Sequence, residues 1–230
     1  MQNITLTQAQ VSESNFISKV FMWMSLGLIV SAGASLFMLS QPELLKIVFT
    51  NKMVFIGLIV VEIGLVIWLS AAAMRLSAAT GLVMFLVYSF LNGVTLSSIF
   101  LIYTGGSIAT TFVITAGTFF FFSMYGLTTK KDLTGVGGLA MMGLIGVIIA
   151  SVVNIFLKSS GLMWVVTFVG IAVFLALIAY DTQKLKAMHA MAANDEETGK
   201  KLSVLGALAL YLDFINLFLL LLRIFGRGRN

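Results

Sequence analysis

The sequence contains no cysteine, one histidine and one proline, and only 10% of its 230 residues are charged. Without cysteine, the chain can form no disulfide bond, no thiolate metal site and no thiol nucleophile. The single histidine, His189, cannot supply the several imidazole ligands of a zinc hydrolase, and we interpret it as a solvated residue. Hydrophobic residues make up 60% of the chain, and its mean hydropathy is +1.06. These values exclude a soluble domain and predict an all-α polytopic membrane protein.

The net charge of +5 is distributed in the loops and at the ends of apolar runs. Charge in those places directs membrane insertion, so we expect the lipid bilayer as the partner of this chain and no nucleic acid. With the N-terminus placed in the cytoplasm, eight lysines and arginines lie inside and six lie outside. This bias predicts a cytoplasmic N-terminus and a C-terminus outside.

Apolar runs of about 20 residues, the length that crosses a bilayer core, can be placed seven times. They cover residues 20–40, 53–73, 79–103, 108–125, 136–157, 161–180 and 202–225. The sixth helix has no breaker at its end and is expected to continue to about residue 192. The charge run at 194–201 is interpreted as a solvated loop. The predicted organisation is one seven-helix transmembrane domain, 19–226, between a polar cytoplasmic tail, 1–18, and a short C-terminal tail, 227–230.

The seventh span carries a carboxylate, Asp213, inside a helix that must cross the bilayer. A charged side chain at helix-centre depth costs about 2.5 to 3.5 kcal/mol on insertion scales, so such a residue normally faces a partner or a wet cavity. At 100° per residue, Asp213, Asn216 and Arg223 fall within an arc of about 80°. Because a helix with such a polar face is expected inside a bundle, we predict that the seventh helix is central.

Asp181, which follows the sixth span, is the natural partner of Asp213. Two carboxylates a few ångströms apart in a low dielectric cannot both ionise freely, so they would share a proton. The pair would then sense protons or, when both groups are charged, hold a cation. An equally weighted alternative is that Asp181 merely ends its helix at the membrane interface near Lys184. Hydropathy also places Asp213 near mid-membrane and Asp181 near the inner surface, so pairing requires an offset between the two helices.

Other polar side chains also lie within the apolar spans. Glu62 is near the middle of the second span. Asn92 and Thr95 share a face of the third span and are interpreted first as packing residues. Asn154 in the fifth span is predicted to form an interhelical hydrogen bond. Together with Asn216, the asparagines at 92 and 154 are candidate supporting residues of a polar site.

Three motifs carry a resemblance to a known family. The sixth span closes with Tyr-Asp-Thr-Gln at 180–183, and the seventh contains Leu-Tyr-Leu-Asp-Phe-Ile-Asn-Leu-Phe at 210–218, followed by Arg223. The third span contains Asn-Gly-Val-Thr-Leu-Ser at 92–97. These motifs resemble the Bax inhibitor 1 family, also called the transmembrane Bax inhibitor motif family, and its bacterial members in particular. The likeness extends over all seven spans.

The resemblance implies a pH-sensitive calcium leak channel of the bacterial inner membrane, with the last helix wrapped by the other six. It implies that Asp181 and Asp213 form the paired pH sensor and contact calcium. Arg75, just after the second helix, would latch this pair. Glu62 and Arg223 would form a second gating contact toward the outer side. No cofactor is required, calcium and protons are the expected ligands, and a monomer is favoured.

Two other classes of protein compete with this interpretation. An intramembrane aspartyl protease also has Tyr-Asp on a sixth helix and an aspartate on a seventh. Its Gly-x-Gly-Asp motif is absent because Tyr211 and Leu212 precede Asp213, and its Pro-Ala-Leu motif cannot occur because Pro42 is the only proline. The chain is therefore not expected to be an enzyme. A non-channel regulator of membrane protein quality control or cell survival, binding a membrane protease or other membrane protein, stays open as the alternative.

Overall fold

The computed structural model describes residues 2–192 and 195–229, with side chains from residue 11 onward. Four positions of the segments predicted above, 1, 193, 194 and 230, lie outside the described residues. The helices within the described part are α1 Gln2–Leu39, α2 Pro42–Thr50, α3 Lys52–Ala72, α4 Ala78–Leu96, α5 Ile99–Ile102, α6 Gly105–Thr128, α7 Thr134–Leu157, α8 Ser160–Met191 and α9 Glu196–Phe225. This part of the chain contains no strand, only an isolated bridge between Tyr103 and Gly228.

Seven helical segments of the described chain are long and apolar enough to cross a membrane, with α4 and α5 counted as one. The prediction of an all-α polytopic membrane protein is therefore confirmed. The sixth helix continues to Met191, as its lack of a breaker predicted. The first helix already begins at Gln2, so that most of the segment predicted as a polar tail is helical.

The predicted solvated loop at 194–201 is wrong from Glu196 onward, because α9 begins there. Asp195 precedes the helix and accepts a hydrogen bond from the Glu197 backbone N–H at 3.0 Å, which caps the first turn. Glu196 and Lys200 then pair at 2.7 Å across one helical turn. The charge run is thus a helix start rather than a loop.

The third span is interrupted between α4 and α5 at Ser97 and Ser98. The Ser97 hydroxyl donates to the Val94 carbonyl at 2.6 Å, and the Ser98 hydroxyl donates to the Thr95 carbonyl at 2.8 Å. Serine hydroxyls that bond nearby carbonyls compete with the helical hydrogen-bond ladder, which explains the break. Hydropathy alone predicted one uninterrupted run here.

A short helix, α2, follows the first span and was not predicted. Pro42 occupies its first turn, where a missing N–H costs no hydrogen bond. Asn51 then separates α2 from α3, and its side-chain oxygen accepts from the backbone N–H groups of Met53 and Val54 at 3.0 and 3.3 Å. Pro42 therefore begins a helix as well as following the end of one.

His189, which the sequence analysis interprets as a solvated residue, also has partners on α1. Its Nε2 lies 3.1 Å from the Ser12 hydroxyl of α1, and its ring centroid is 5.7 Å from that of Phe16. The side chain is half-buried. His189 therefore packs the end of α8 against α1.

The chain divides into two compact units. The first comprises the chain up to Ile102 together with Lys186–Tyr211, and the second comprises Tyr103–Leu185 together with the chain from Leu212. Helices α8 and α9 each contribute to both units. The apolar window of α9 is 67% buried, against 11 to 44% for the other six spans. The predicted central position of the seventh span stays a prediction.

Candidate functional site

Asp213 lies in the second unit on α9, in its most apolar stretch. Its side chain is 5% exposed, and the neighbouring Phe214 and Leu217 are also buried. The ring of Phe214 is packed by Phe112 and Phe119 of α6, with centroids 5.3 and 5.5 Å away. Aromatic packing on the adjacent position thus fixes the rotation of α9 and holds the Asp213 carboxyl group inside the protein.

Asp181 on α8 is the predicted partner of Asp213. The two carboxyl groups lie within hydrogen-bonding range of each other. Among the described residues, the buried Oδ2 atom of Asp213 has no donor. An ionised carboxylate only accepts hydrogen bonds, so two facing carboxyl groups become partners when one carries a proton. Two carboxyl groups in this arrangement can share one proton.

Asp181 does not end its helix, because α8 continues to Met191. Asp181 is therefore not a helix-terminal residue. Lys184, one turn further on, is close enough to attract the Asp181 carboxylate, and its Nζ lies 5.9 Å from the centre of the Tyr180 ring. Asp181 is half-buried, whereas Asp213 is enclosed. Asp181 is thus the more exposed residue of the pair, and Asp213 is the more buried one.

Helix α6 approaches α8 very closely beside the aspartate pair. Gly126 faces the backbone carbonyl of Ala179, so a Cβ at position 126 would collide with it. Thr182 of α8 is fully buried, donates to the Ile178 carbonyl at 2.6 Å and lies 3.3 Å from the Ser123 hydroxyl of α6. These contacts fix the position of α8 along α6 and hence the position of Asp181.

The remaining residues of the Tyr-Asp-Thr-Gln motif connect α8 to α7 and the preceding loop. Tyr180 packs its ring onto Gly137 of α7, where no side chain would fit. Gln183 accepts from the Leu133 backbone N–H at 2.9 Å and donates to the Lys131 carbonyl at 2.8 Å. Sequence reasoning singled out only the aspartate of this motif. The run of four polar or aromatic residues at the end of an apolar span was the available signal for the others.

Arg223 lies ten residues after Asp213 on α9, and within the second unit it contacts α8. Its Nη1 donates to the Thr167 hydroxyl at 3.0 Å, and Thr167 itself donates to the Met163 carbonyl at 2.7 Å. Thr167 is fully buried. Arg223 is therefore anchored to a polar position that the sequence analysis did not identify.

Glu62 belongs to the first unit, where α4 satisfies its carboxylate. Its side chain is 8% exposed on a helix that otherwise exposes most of its surface. Asn92 Nδ2 donates to it at 3.3 Å, and the Thr95 hydroxyl makes a second, short hydrogen bond. The stripe that was interpreted as packing is thus the donor set of a buried carboxylate. The sequence signal for this contact was the presence of a polar face on one span directly after a span that carries a single carboxylate.

The hydrogen bonds continue from Asn92 to helices α9 and α1. Tyr211 donates to Asn92 Oδ1 at 3.0 Å and lies 2.6 Å from the Ser31 hydroxyl. Ser31 lies 2.7 Å from the Ser89 carbonyl of α4, and all three of these helices meet there. Gly93 allows this approach, because a Cβ at that position would collide with the Ser31 backbone. One polar network therefore connects α3, α4, α9 and α1.

The two other asparagines named from the sequence form hydrogen bonds with groups close to them in the chain. Asn216 donates to the Leu212 carbonyl of its own helix at 2.7 Å. Asn154 accepts from the Ser159 backbone N–H at 3.0 Å and so closes the turn after α7, where Lys158 has a left-handed φ of 49°. The predicted interhelical hydrogen bond of Asn154 is wrong, because its side-chain oxygen accepts the Ser159 backbone N–H within the turn that follows its own helix.

Arg75 lies exposed in the turn between α3 and α4, in the first unit. Its predicted partners Asp181 and Asp213 belong to the second unit, so the latch stays a prediction. The same holds for the contact between Glu62 of the first unit and Arg223 of the second. In the described part of the chain, no group of three or more histidine, aspartate or glutamate side chains could hold a metal ion.

The fold and the site define a class, the polytopic α-helical membrane proteins with a carboxyl pair buried between two helices. A family model described as "Inhibitor of apoptosis-promoting Bax1" matches residues 13–230. The chain therefore belongs to the Bax inhibitor 1 family, as its motifs predicted. This is a membrane family and not a family of enzymes.

Several bacterial proteins are similar over nearly their whole length. "Inner membrane protein YbhL" of Escherichia coli strain K12 is 48% identical over 226 residues, which are 98% of this chain and 97% of that protein. An "Uncharacterized protein" of Borreliella burgdorferi is 46% identical over 99% of each chain. "Uncharacterized protein RP147" of Rickettsia prowazekii is 43% identical over 94% of this chain and 90% of its own.

Proposed function

We propose that this protein is a pH-sensitive calcium leak channel, gated by protonation of the Asp181–Asp213 pair. The observation that supports it best is the contact of the two carboxyl groups, with Asp213 Oδ2 buried and without a donor among the described residues. A proton between the two carboxyl groups satisfies a buried acceptor of this kind. Proton binding and helix packing are therefore linked at this point.

The pair acts as a switch because its two protonation states favour different arrangements. With one proton shared, the carboxyl groups attract each other and hold α8 against α9. With no proton, two negative charges repel each other, and separation of the helices or entry of a cation relieves the repulsion. The proton thus shifts the population between a closed and an open state.

Calcium fits the pair as a passing ion rather than a stored one. Calcium takes about six to eight oxygen ligands, and two carboxylates supply at most about four. The remaining ligands would be water and backbone oxygen atoms. Incomplete coordination by the protein gives weak binding, which suits an ion that must leave again.

Charged residues outside the pair complete the proposed gate. Arg75 latches the closed pair, in keeping with the role that the family resemblance implies. Glu62 and Arg223 form a second contact toward the outer side, and each is already held by neutral hydrogen-bond partners within its own unit. Such partners keep the side chains oriented when the charged contact opens.

The proposed location is the bacterial inner membrane, with the N-terminus in the cytoplasm and the C-terminus outside. The seven apolar helical segments and the printed name of the Escherichia coli relative support the membrane, and the distribution of lysine and arginine supports the orientation. In this proposal the protein is a monomeric channel without a cofactor and not an enzyme.

Calcium flux from proteoliposomes, measured between about pH 5 and pH 8 with a calcium-sensitive dye, tests this function. Asp213→Asn and Asp181→Asn should each abolish the pH dependence, because an amide does not titrate. Asp132→Asn is the matched control. Asp132 lies in an exposed loop, where hydrogen bonds from Thr134 lower its pKa, so it stays ionised over the whole range.

An unchanged pH profile in both pair variants would overturn the sensor. The absence of calcium flux from folded wild-type protein at every pH would overturn the channel function. It would favour the alternative, a regulator that binds other membrane proteins. Flux that loses its pH dependence only in the pair variants, and keeps it in Asp132→Asn, is the result expected of the proposed function.

A further inference from the structure

The turn that carries Arg75 is held on both sides by the first turns of α9. The Ala78 backbone N–H donates to Glu197 Oε1 at 2.9 Å, and Lys201 Nζ donates to the Met74 carbonyl at 3.3 Å. Arg75 lies between these two anchored backbone positions. All of these residues belong to the first unit.

The two anchors match the chemistry of the helix ends that they hold. The end of α3 presents carbonyl groups without helical partners, and the start of α4 presents N–H groups without partners. A carboxylate near a helix N-terminus and an ammonium group near a C-terminus are both favourable with respect to the helix dipole. Glu197 and Lys201 are four residues apart and so share one face of α9.

The neighbouring charges on α9 behave differently, although their types and spacing are the same. Glu196 and Lys200 pair with each other at 2.7 Å and so close on their own helix. The next pair along, Glu197 and Lys201, reaches across to the α3–α4 turn instead. The turn is therefore held by particular side chains and not by the general charge of the helix start.

We propose that Glu197 and Lys201 are positioning residues that fix the α3–α4 turn and thereby set where the Arg75 guanidinium group lies. The inference deepens the proposed function, on which it rests, because it names the residues that place the latch. It makes the start of α9 part of the gate, at the opposite end of the helix from Arg223.

Two charge-balanced double variants test the anchor itself. Glu197→Ala with Lys201→Met removes one charge of each sign and both hydrogen bonds to the turn. Glu196→Ala with Lys200→Met removes the same charges one position earlier and leaves the turn untouched. Hydrogen exchange measured by mass spectrometry on the peptide covering residues 73–80 should become about three- to tenfold faster in the first variant only. Equal exchange in both variants would overturn the anchor.

The pH profile of calcium flux tests the link to the latch. The Glu197/Lys201 double variant should move the midpoint of the profile by about half a pH unit or more, as Arg75→Ala should. Combining it with Arg75→Ala should produce no further change, because both act through one side chain. Additive shifts would overturn the positioning role.

The two proposals fail in different ways. If Arg75→Ala leaves the pH profile unchanged while exchange at 73–80 still responds, the latch of the proposed function is wrong and the anchor stands. If exchange does not respond, the positioning role is wrong whatever the flux shows. The single variants Glu197→Ala and Lys201→Met, each removing one exposed hydrogen bond, give the same comparison should a double variant not fold.

Discussion

Single polar side chains inside these apolar helices are held by other polar side chains. Tyr211 is fully buried, and its hydroxyl group connects Asn92 on α4 to Ser31 on α1. Its ring also packs edge-on against Phe85, with centroids 5.5 Å apart. Ring packing and hydrogen bonding thus act through one residue, and the two contributions can be separated by removing the hydroxyl group alone.

Tyr211→Phe should lower the free energy of unfolding by about 1 to 3 kcal/mol, because Asn92 and Ser31 lose a buried partner. Thermal unfolding in detergent, followed by circular dichroism, measures the change. The matched control is Tyr125→Phe, since Tyr125 is 44% exposed on α6 and its change should be within about 0.5 kcal/mol. Equal stability of the two variants would mean that the network contributes nothing to the fold.

Pairs of helices approach each other most closely where one of them carries glycine. Gly126 brings α6 against the α8 backbone two residues before Asp181, whereas Gly117 on the same α6 faces open space. Small residues allow membrane helices to pack backbone to backbone. The position of Asp181 therefore depends on a glycine that contributes no polar group.

Gly126→Ala should destabilise the protein by about 1 to 3 kcal/mol, because the added Cβ meets a backbone carbonyl that cannot move aside. It should also alter the pH profile of calcium flux, since it displaces Asp181. Gly117→Ala is the control on the same helix and should be neutral or slightly stabilising, because alanine is the better helix former. A neutral Gly126→Ala would contradict the close approach.

The described residues contain seven candidate spans, and an odd number of membrane crossings would place the two ends of the chain on opposite sides of the membrane. The distribution of basic residues favours a cytoplasmic N-terminus, although Arg223, Arg227 and Arg229 then lie at the outer end. Chain orientation is a property of all spans together, and no single helix decides it.

A fusion of alkaline phosphatase to the C-terminus should be active, and a fusion of green fluorescent protein there should be dark, because both report a C-terminus outside the cytoplasm. Fusions of the same two reporters at the loop carrying Lys130 and Lys131 should give the opposite result, with inactive phosphatase and fluorescent protein, because this loop is expected in the cytoplasm. Fluorescence of the C-terminal fusion would show that the proposed orientation is wrong. Finding both ends of the chain on the same side of the membrane would show that the number of membrane crossings is not seven.

The sequence by itself determined the class, the apolar segments, the family and the identity of the unusual residues. The class and the apolar segments follow from composition and hydropathy, because a run of about 20 apolar residues has one stable environment. The family follows from the resemblance of three motifs, at 92–97, 180–183 and 210–218. A carboxylate within such a run needs a partner wherever the helix lies. Asp213 and Glu62 could therefore be recognised without knowledge of any contact.

Only the tertiary structure decided which side chains meet. Hydropathy placed Asp181 and Asp213 at different depths, yet α8 continues past Asp181 and presents it to Asp213. It likewise could not show that Asn92 donates to Glu62, or that Asn154 bonds the turn after its own helix. Contacts of this kind depend on the rotation and offset of packed helices, which are set by close approaches across the fold and not by the local sequence.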